Sequence, residues 1–182
     1  MSPNIKVIDN VISRAYQNHI EDTIGGTEYP WFYEPKITYV VEDSDPNSGF
    51  SNGIYFKEGI KRNEYKGEFY NLVVPILLQA IDKYQPGVVL KELFRIRSVM
   101  FIKNQNTSSH VRHVDMDDDH YNMVYYVNDS DGPTRIFSES KVIKEVNPKK
   151  GRALIFPGNY YHSSDTPKKN SRRVILNYNF LI

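Results

Sequence analysis

Apolar residues recur every three to four positions in two stretches of the chain and alternate with polar ones through most of the rest. Ile12, Tyr16, Ile20 and Ile24 step by four, the spacing that lines one face of a helix. Asp9 stands where a capping side chain is wanted, and Gly25-Gly26 closes the pattern. A second helix is predicted by Phe69, Leu72, Val73, Ile76, Leu77, Ala80, Ile81 and Tyr84, ending at Pro86-Gly87. Pro75 lies inside it and has no N–H to give, so a kink or a late start is expected there. Between the helices the pattern predicts strands over 37–41 and 54–57. The stretch 42–53, rich in Asp, Ser, Asn and Gly, reads as a surface loop.

From residue 93 onward the period shifts to that of strands, predicted over 93–103, 122–128, 134–137, 141–146, 152–156 and 173–180. Asp131-Gly132-Pro133, Asn147-Pro148, Pro157-Gly158 and Lys168-Lys169-Asn170-Ser171 punctuate them. Short strands so closely spaced by turns argue for a β-sandwich or barrel. At 182 residues the expectation is one domain, 1–182, with about 1–90 as support and about 91–182 as the core.

Composition narrows the chemistry. The chain has no cysteine, so thiolate metal sites, thiol nucleophiles and disulfides are excluded, and a metal must be held by His, Asp or Glu. Net charge is +1 with both signs interspersed, which makes no general case for nucleic acid or a membrane surface. No signal peptide or membrane span is apparent. The expected setting is the cytoplasm.

Residues 110–120 hold His110, His113 and His120 together with Asp115, Asp117, Asp118 and Asp119. From this stretch alone, a solvated polar turn is the first reading. In a strand, however, His113 and Asp115 project from the same face and can share one ion. His162, 47 positions beyond Asp115, offers a third ligand. Two histidines and one carboxylate make the facial triad of non-haem iron(II) oxygenases. Arg173 follows 11 positions after His162 and is suited to grip a carboxylate by a forked pair of hydrogen bonds.

With these residues in place the sequence resembles the iron(II)- and 2-oxoglutarate-dependent oxygenases, in their prolyl-hydroxylase-like branch. The resemblance is carried by Val111-Arg112-His113-Val114-Asp115, Tyr125-Tyr126-Val127-Asn128, Gly151-Arg152-Ala153-Leu154-Ile155-Phe156-Pro157, His162 and Arg173-Val174-Ile175-Leu176-Asn177. They occur in the family's order across about the C-terminal half. The short length and the Tyr-Tyr-Val-Asn-Asp-Ser-Asp-Gly run look like the small oxygenases of bacteria and their phages, which would place it in a host cytoplasm. The resemblance implies a mainly β fold, a double-stranded β-helix or jelly roll, with the N-terminal helices packed on its larger sheet. It implies Fe(II) on His113, Asp115 and His162, and 2-oxoglutarate and O2 as cosubstrates. Arg173 would hold the distal carboxylate of 2-oxoglutarate, Tyr126 would contact that carboxylate, and Asn177 would line the pocket. Arg172 competes with Arg173, because a one-residue slip exchanges the faces of a strand.

The implied reaction hydroxylates a C–H bond in a peptidyl proline or another peptide residue, with a small metabolite as the other substrate class and 42–53 as a lid. Two rival readings stand: a cupin-like metal-dependent binding protein, and a non-catalytic phage structural or interaction domain. Other features favour plain roles. His110 is second shell or structural, and His19 and His120 are structural or solvated. Asp129-Ser130-Asp131-Gly132 fails as an EF-hand, because Val127 would fall at its first ligand position. Trp31 reads as core, and Arg95 and Arg97 share one strand face toward substrate or a structural partner.

Overall fold

The computed structural model describes residues 4–38, 48–61, 63–104 and 109–182. In chain order the elements are β1 (Lys6–Ile8), α1 (Arg14–Ile24), β2 (Phe32–Glu34), β3 (Gly49–Phe56), β4 (Tyr65–Lys66), α2 (Tyr70–Tyr84), β5 (Glu92–Ile102), β6 (Tyr121–Tyr126), β7 (Thr134–Ser138), β8 (Lys141–Val146), β9 (Ala153–Pro157), β10 (Tyr161–Ser164) and β11 (Arg172–Leu181). A large antiparallel sheet runs β1-β9-β6-β11-β5-β3-β2, with β4 added to β3, and a small sheet runs β10-β7-β8. This is a jelly roll, and its large sheet carries the helices.

The two faces of the large sheet are divided by strand alternation. Along β11, Val174, Leu176, Tyr178 and Phe180 join Met123 and Tyr125 of β6 in a core completed by Ile20 and Ile24 of α1 and Val73, Ile76, Leu77 and Ala80 of α2. On the opposite face Ile175, Val124, Tyr126, Leu154 and Phe156 meet Ile136 of β7 and Val146 of β8. Both faces are covered, so β6 and β9 read as unbroken apolar runs rather than as alternating ones. Each fully buried side chain of this size contributes about 1.5–3 kcal/mol. Two hydroxyls stitch the helix to its neighbours: Tyr178 donates to the Val73 carbonyl at 3.0 Å and Tyr16 to that of Leu72.

Several local expectations change. α1 starts at Arg14 under Ser13, whose hydroxyl accepts from the Tyr16 amide at 3.3 Å. Asp9 is not its cap; it pairs with Arg152 and Lys149. α2 begins at Tyr70 and runs through Pro75, so there is no late start. The strand expected over 37–41 is absent at Ile37 and Thr38, which lie in a bend, and 39–41 lie outside the described residues. The expected loop 42–53 overlaps β3 from Gly49 onward. The lid assigned to it keeps only 42–48, of which 42–47 lie outside the described residues. The six strands predicted after residue 93 all form, within two residues at either end.

Candidate metal centre

The segment that leads into β6 pairs with the small sheet beside the cavity. His113 and His162 form an isolated antiparallel bridge, in which the His113 amide donates to the His162 carbonyl at 3.0 Å and the return bond is 2.9 Å. His162 belongs to β10 of the small sheet, and His113 lies in the segment leading to β6. The rings stand 4.3 Å apart. Asp115, two positions on, turns the same way: its Oδ1 is 3.7 Å from His113 Nε2 and its Oδ2 is 4.0 Å from His162 Nε2. One ligand atom from each of the three lies within 4.8 Å of the others.

The protonation pattern suits a cation. His113 Nδ1 lies 3.1 Å from the Val111 carbonyl, which can only accept, so Nδ1 is the donor and Nε2 is the nitrogen turned toward Asp115. Burial, reinforced by His113, lowers the His162 pKa to about 4 against the pull of Asp115, which keeps that imidazole neutral at pH 7. Burial opposes ionisation of Asp115, yet Arg95, the two imidazoles and the Asn179 amide override it and hold the carboxyl far below the usual range. Two imidazoles and a carboxylate are the donor set that iron(II) takes in facial triads.

Asp115 is fixed on both oxygens. Oδ1 pairs with Arg95 at 3.0 Å, and Oδ2 accepts from the side-chain amides of Asn177 and Asn179, each at 3.0 Å. Arg95 Nε also donates to Asn179 Oδ1 at 2.8 Å, and Asn179 donates to Asn122. Of the two readings for Arg95, the structural pair is the one formed.

A cavity of about 130 Å3 opens beside the three residues and is walled by Thr134, Arg173 and Asn177 among others. Arg173 is 1% exposed. Its Nη2 donates to Thr134 Oγ1 at 2.8 Å, while Nε and Nη1 have no hydrogen-bond partner among the described residues. The guanidinium is flanked by the rings of Phe101 and Tyr126, at 5.7 and 5.6 Å. Tyr126 OH donates to the same Thr134 hydroxyl at 2.8 Å. Arg172 does not line this cavity; its side chain reaches toward Gly25 at the end of α1. Asn177 lines the cavity; its Nδ2 donates to Asp115, while its Oδ1 has no hydrogen-bond partner among the described residues.

The other histidines stand apart from the cluster. His110 is buried against the Phe101 ring at 4.4 Å and lies 3.3 Å from Thr166 Oγ1. His120 is buried, and the close fit of Gly158 explains its role, because a Cβ there would come within 2.2 Å of the imidazole. His19 and Asp117, Asp118 and Asp119 are exposed. Asp131 accepts the backbone amides of Lys168, Lys169 and Asn170, closing a turn instead of binding calcium.

Thr134, Asn179 and the identity of Arg95's partner were missed in the sequence. Arg95 and Asn179 sit on the cavity side of neighbouring strands and are paired in register, a signal available only once the strands are aligned. Thr134 opens β7 directly after Gly132-Pro133 and carries no motif of its own.

Residues 98–181 match the 2OG-Fe(II) oxygenase superfamily. No curated protein sequence matches the chain. Among solved structures, an oxidoreductase of the 2OG-Fe(II) oxygenase family from Burkholderia pseudomallei aligns with a TM-score of 0.73 at 12% identity, covering 97% of this chain and 84% of that one. A prolyl hydroxylase from Trichoplax adhaerens, solved with a peptide fragment of hypoxia inducible factor, aligns at 0.65 and 14%, covering 98% and 84%. A prolyl-4-hydroxylase from Pseudomonas putida also aligns at 0.65 and 14%, covering 100% and 94%. At these identities the structures establish the shared jelly roll, and the matched segment holds every strand from β6 to β11 together with all three candidate ligands. The likeness to the 2OG-Fe(II) oxygenase superfamily is thus carried by residues 98–181, somewhat under half of the chain, and that segment holds His113, Asp115 and His162, which could bind a metal ion.

Proposed function

We propose that this protein is a 2-oxoglutarate-dependent oxygenase that holds Fe(II) on His113, Asp115 and His162, anchors the distal carboxylate of 2-oxoglutarate on Arg173, and hydroxylates a C–H bond in a prolyl or other residue of a peptide. The observation that carries the reading is Arg173: a buried guanidinium, aimed into the cavity that the three ligands share, with two nitrogens unpartnered. A cationic fork left unsatisfied in a protein interior is costly unless an anion completes it. A binding protein of the cupin kind has no need for it. The peptide class is supported by the likeness of fold to two prolyl hydroxylases, one of them solved with a peptide.

When bound, iron and 2-oxoglutarate supply oxygen activation coupled to decarboxylation of the cosubstrate. The chain's own part is positioning. Arg95, Asn177 and Asn179 fix the Asp115 carboxylate, and Val111 fixes the His113 tautomer. Thr134 aligns Arg173 and Tyr126 side by side, and Phe101, Val124 and Ile175 give the cavity apolar walls. Tyr126 serves in this reading as a wall and hydrogen-bonding neighbour of the Arg173 site.

The test is anaerobic titration with Fe(II) and then 2-oxoglutarate, following the weak visible charge-transfer band of the chelate. Wild type is expected to develop the band. Arg173→Lys, which keeps the charge and loses the fork, should need at least tenfold more 2-oxoglutarate. Bound iron without a band would overturn the oxygenase assignment of the site in favour of the binding-protein reading. A band in a protein that adds no oxygen atom to any prolyl peptide, read by mass, would overturn the peptide assignment alone.

A further inference from the structure

Asp115 is held by more than its orientation requires. Asn177 and Asn179 reach it from β11, and their two neutral amides both donate to Oδ2. Two such bonds fix the plane of a carboxylate without adding charge. Oδ1, the oxygen 3.7 Å from His113 Nε2, is met instead by the Arg95 guanidinium at 3.0 Å. Arg95 stands on β5 directly across from Asn179, and its Nε donates to Asn179 Oδ1 at 2.8 Å. Arg95, Asn179 and Asp115 thereby close a ring in which the guanidinium is tied at Nε as well as at Nη2. The Arg95 side chain is 15% exposed and that of Asp115 7%.

A guanidinium is a costly group for that place. It stays charged at any physiological pH, and withdrawing a charge from water costs more than withdrawing an amide that could fill the same hydrogen bond. Its charge cannot be shed when a cation joins His113, Asp115 and His162, and in so enclosed a position salt screens it weakly. A fixed positive charge on a metal ligand opposes a bound ion in proportion to the ion's own charge. It therefore opposes Fe(III) more than Fe(II), whereas its part in orienting the carboxylate serves both ions alike. Charge and hydrogen bonds around the ligands are what set the potential of an iron site, and here they push the one-electron couple toward the ferrous side.

Resting on the proposed iron site, we infer that Arg95 is a positioning residue that also selects the oxidation state of the metal: through Asp115 its charge favours Fe(II) over Fe(III) and holds the centre ferrous between turnovers. The amides of Asn177 and Asn179 orient the ligand, and the guanidinium sets the electron affinity of the ion that the ligand receives.

The experiment is a mediated potentiometric titration, without oxygen or 2-oxoglutarate, of the iron-loaded protein, following the ferric electron paramagnetic resonance signal as each iron takes one electron from the mediator. Wild type is compared with two neutral variants, Arg95→Gln, which can still donate to Asp115, and Arg95→Met, and with Arg95→Lys, which keeps the charge and loses the fork. Whichever neutral variant folds, as read by circular dichroism, is expected to shift the balance toward Fe(III) at least tenfold, a fall in midpoint of about 59 mV or more. Arg95→Lys should recover at least half of that fall. Equal midpoints in wild type and the neutral variants, or a fall in Arg95→Lys as large as theirs, would overturn the inference and leave iron binding at the three ligands standing. Failure of a folded neutral variant to hold iron would overturn it too, because Arg95 would then build the site instead of tuning it. Wild type that takes up no iron would remove the metal reading itself, and the inference with it.

Discussion

The Asp115 carboxylate holds one ion pair and two amide hydrogen bonds before any cation arrives. Arg95 is then the counter-charge of the metal-free protein. Its loss leaves a buried carboxylate uncompensated, at a cost of about 3 kcal/mol. Arg95→Gln should therefore lower the urea stability of the metal-free protein by about that amount, whereas saturating Mn(II), which restores a positive charge beside Asp115, should shrink the difference from wild type. An equal loss with and without metal would show that Arg95 acts through packing alone. At this scale His113, Asp115, His162 and Arg173 were named from residue type and spacing together with the ordered motifs of the resemblance, and the structure brings all four round one cavity. The clamp on Asp115 was not, since Arg95, Asn177 and Asn179 come from β5 and β11 and meet only through sheet register.

Among the elements, β10 shows why a site residue can be named while its setting is missed. Tyr161-His162-Ser163-Ser164 is short and polar, with no apolar alternation to mark it as a strand, yet it pairs with β7 over all four residues. The start of the chain shows the reverse, a plausible cap that was needed elsewhere. Asp9 follows β1 and draws it onto the turn before β9 through Arg152 and Lys149, and the Arg152 hydrogen bond, working against partial burial, holds its pKa at about 2. With a folded value below the unfolded one, this contribution is present above about pH 4 and is lost as pH falls toward 2. Asp9 is partly exposed, so the effect is under about 1 kcal/mol. Asp9→Asn should accordingly lower the urea midpoint slightly at pH 6 and not at pH 2, and an NMR titration of the Asp9 carboxyl should find its midpoint near 2. A midpoint near 4 would mean that the pair does not form in solution.

In the whole molecule, function and stability are assigned to opposite faces of one sheet. β11 gives Val174, Leu176, Tyr178 and Phe180 to the helices and Arg173, Ile175, Asn177 and Asn179 to the cavity. Leu176→Ala, fully buried on the helix side, should cost about 2–5 kcal/mol, read by urea unfolding. The 2-oxoglutarate requirement of the protein that remains folded should be unchanged. A weakened requirement would mean that strain passes through the sheet. No helix among the described residues is long and apolar enough to cross a membrane. The jelly roll itself was foreshadowed by the six strand signals after residue 93, whereas the unequal width of the two sheets was not, since nothing in the local pattern tells how far one sheet extends beyond another.

The bridge between His113 and His162 also sets a clock. Those two residues are 49 positions apart, and only after the intervening hairpins have paired can their backbones meet. Closing a segment of that length is late and slow compared with forming a local hairpin. His162 comes from the small sheet while His113 and Asp115 precede β6, so release of a bound ion should depend on how readily β10 parts from His113. Iron residence becomes a gauge of local breathing: a hydrogen-exchange rate at the His113 and His162 amides and a chelator-driven release rate should rise and fall together.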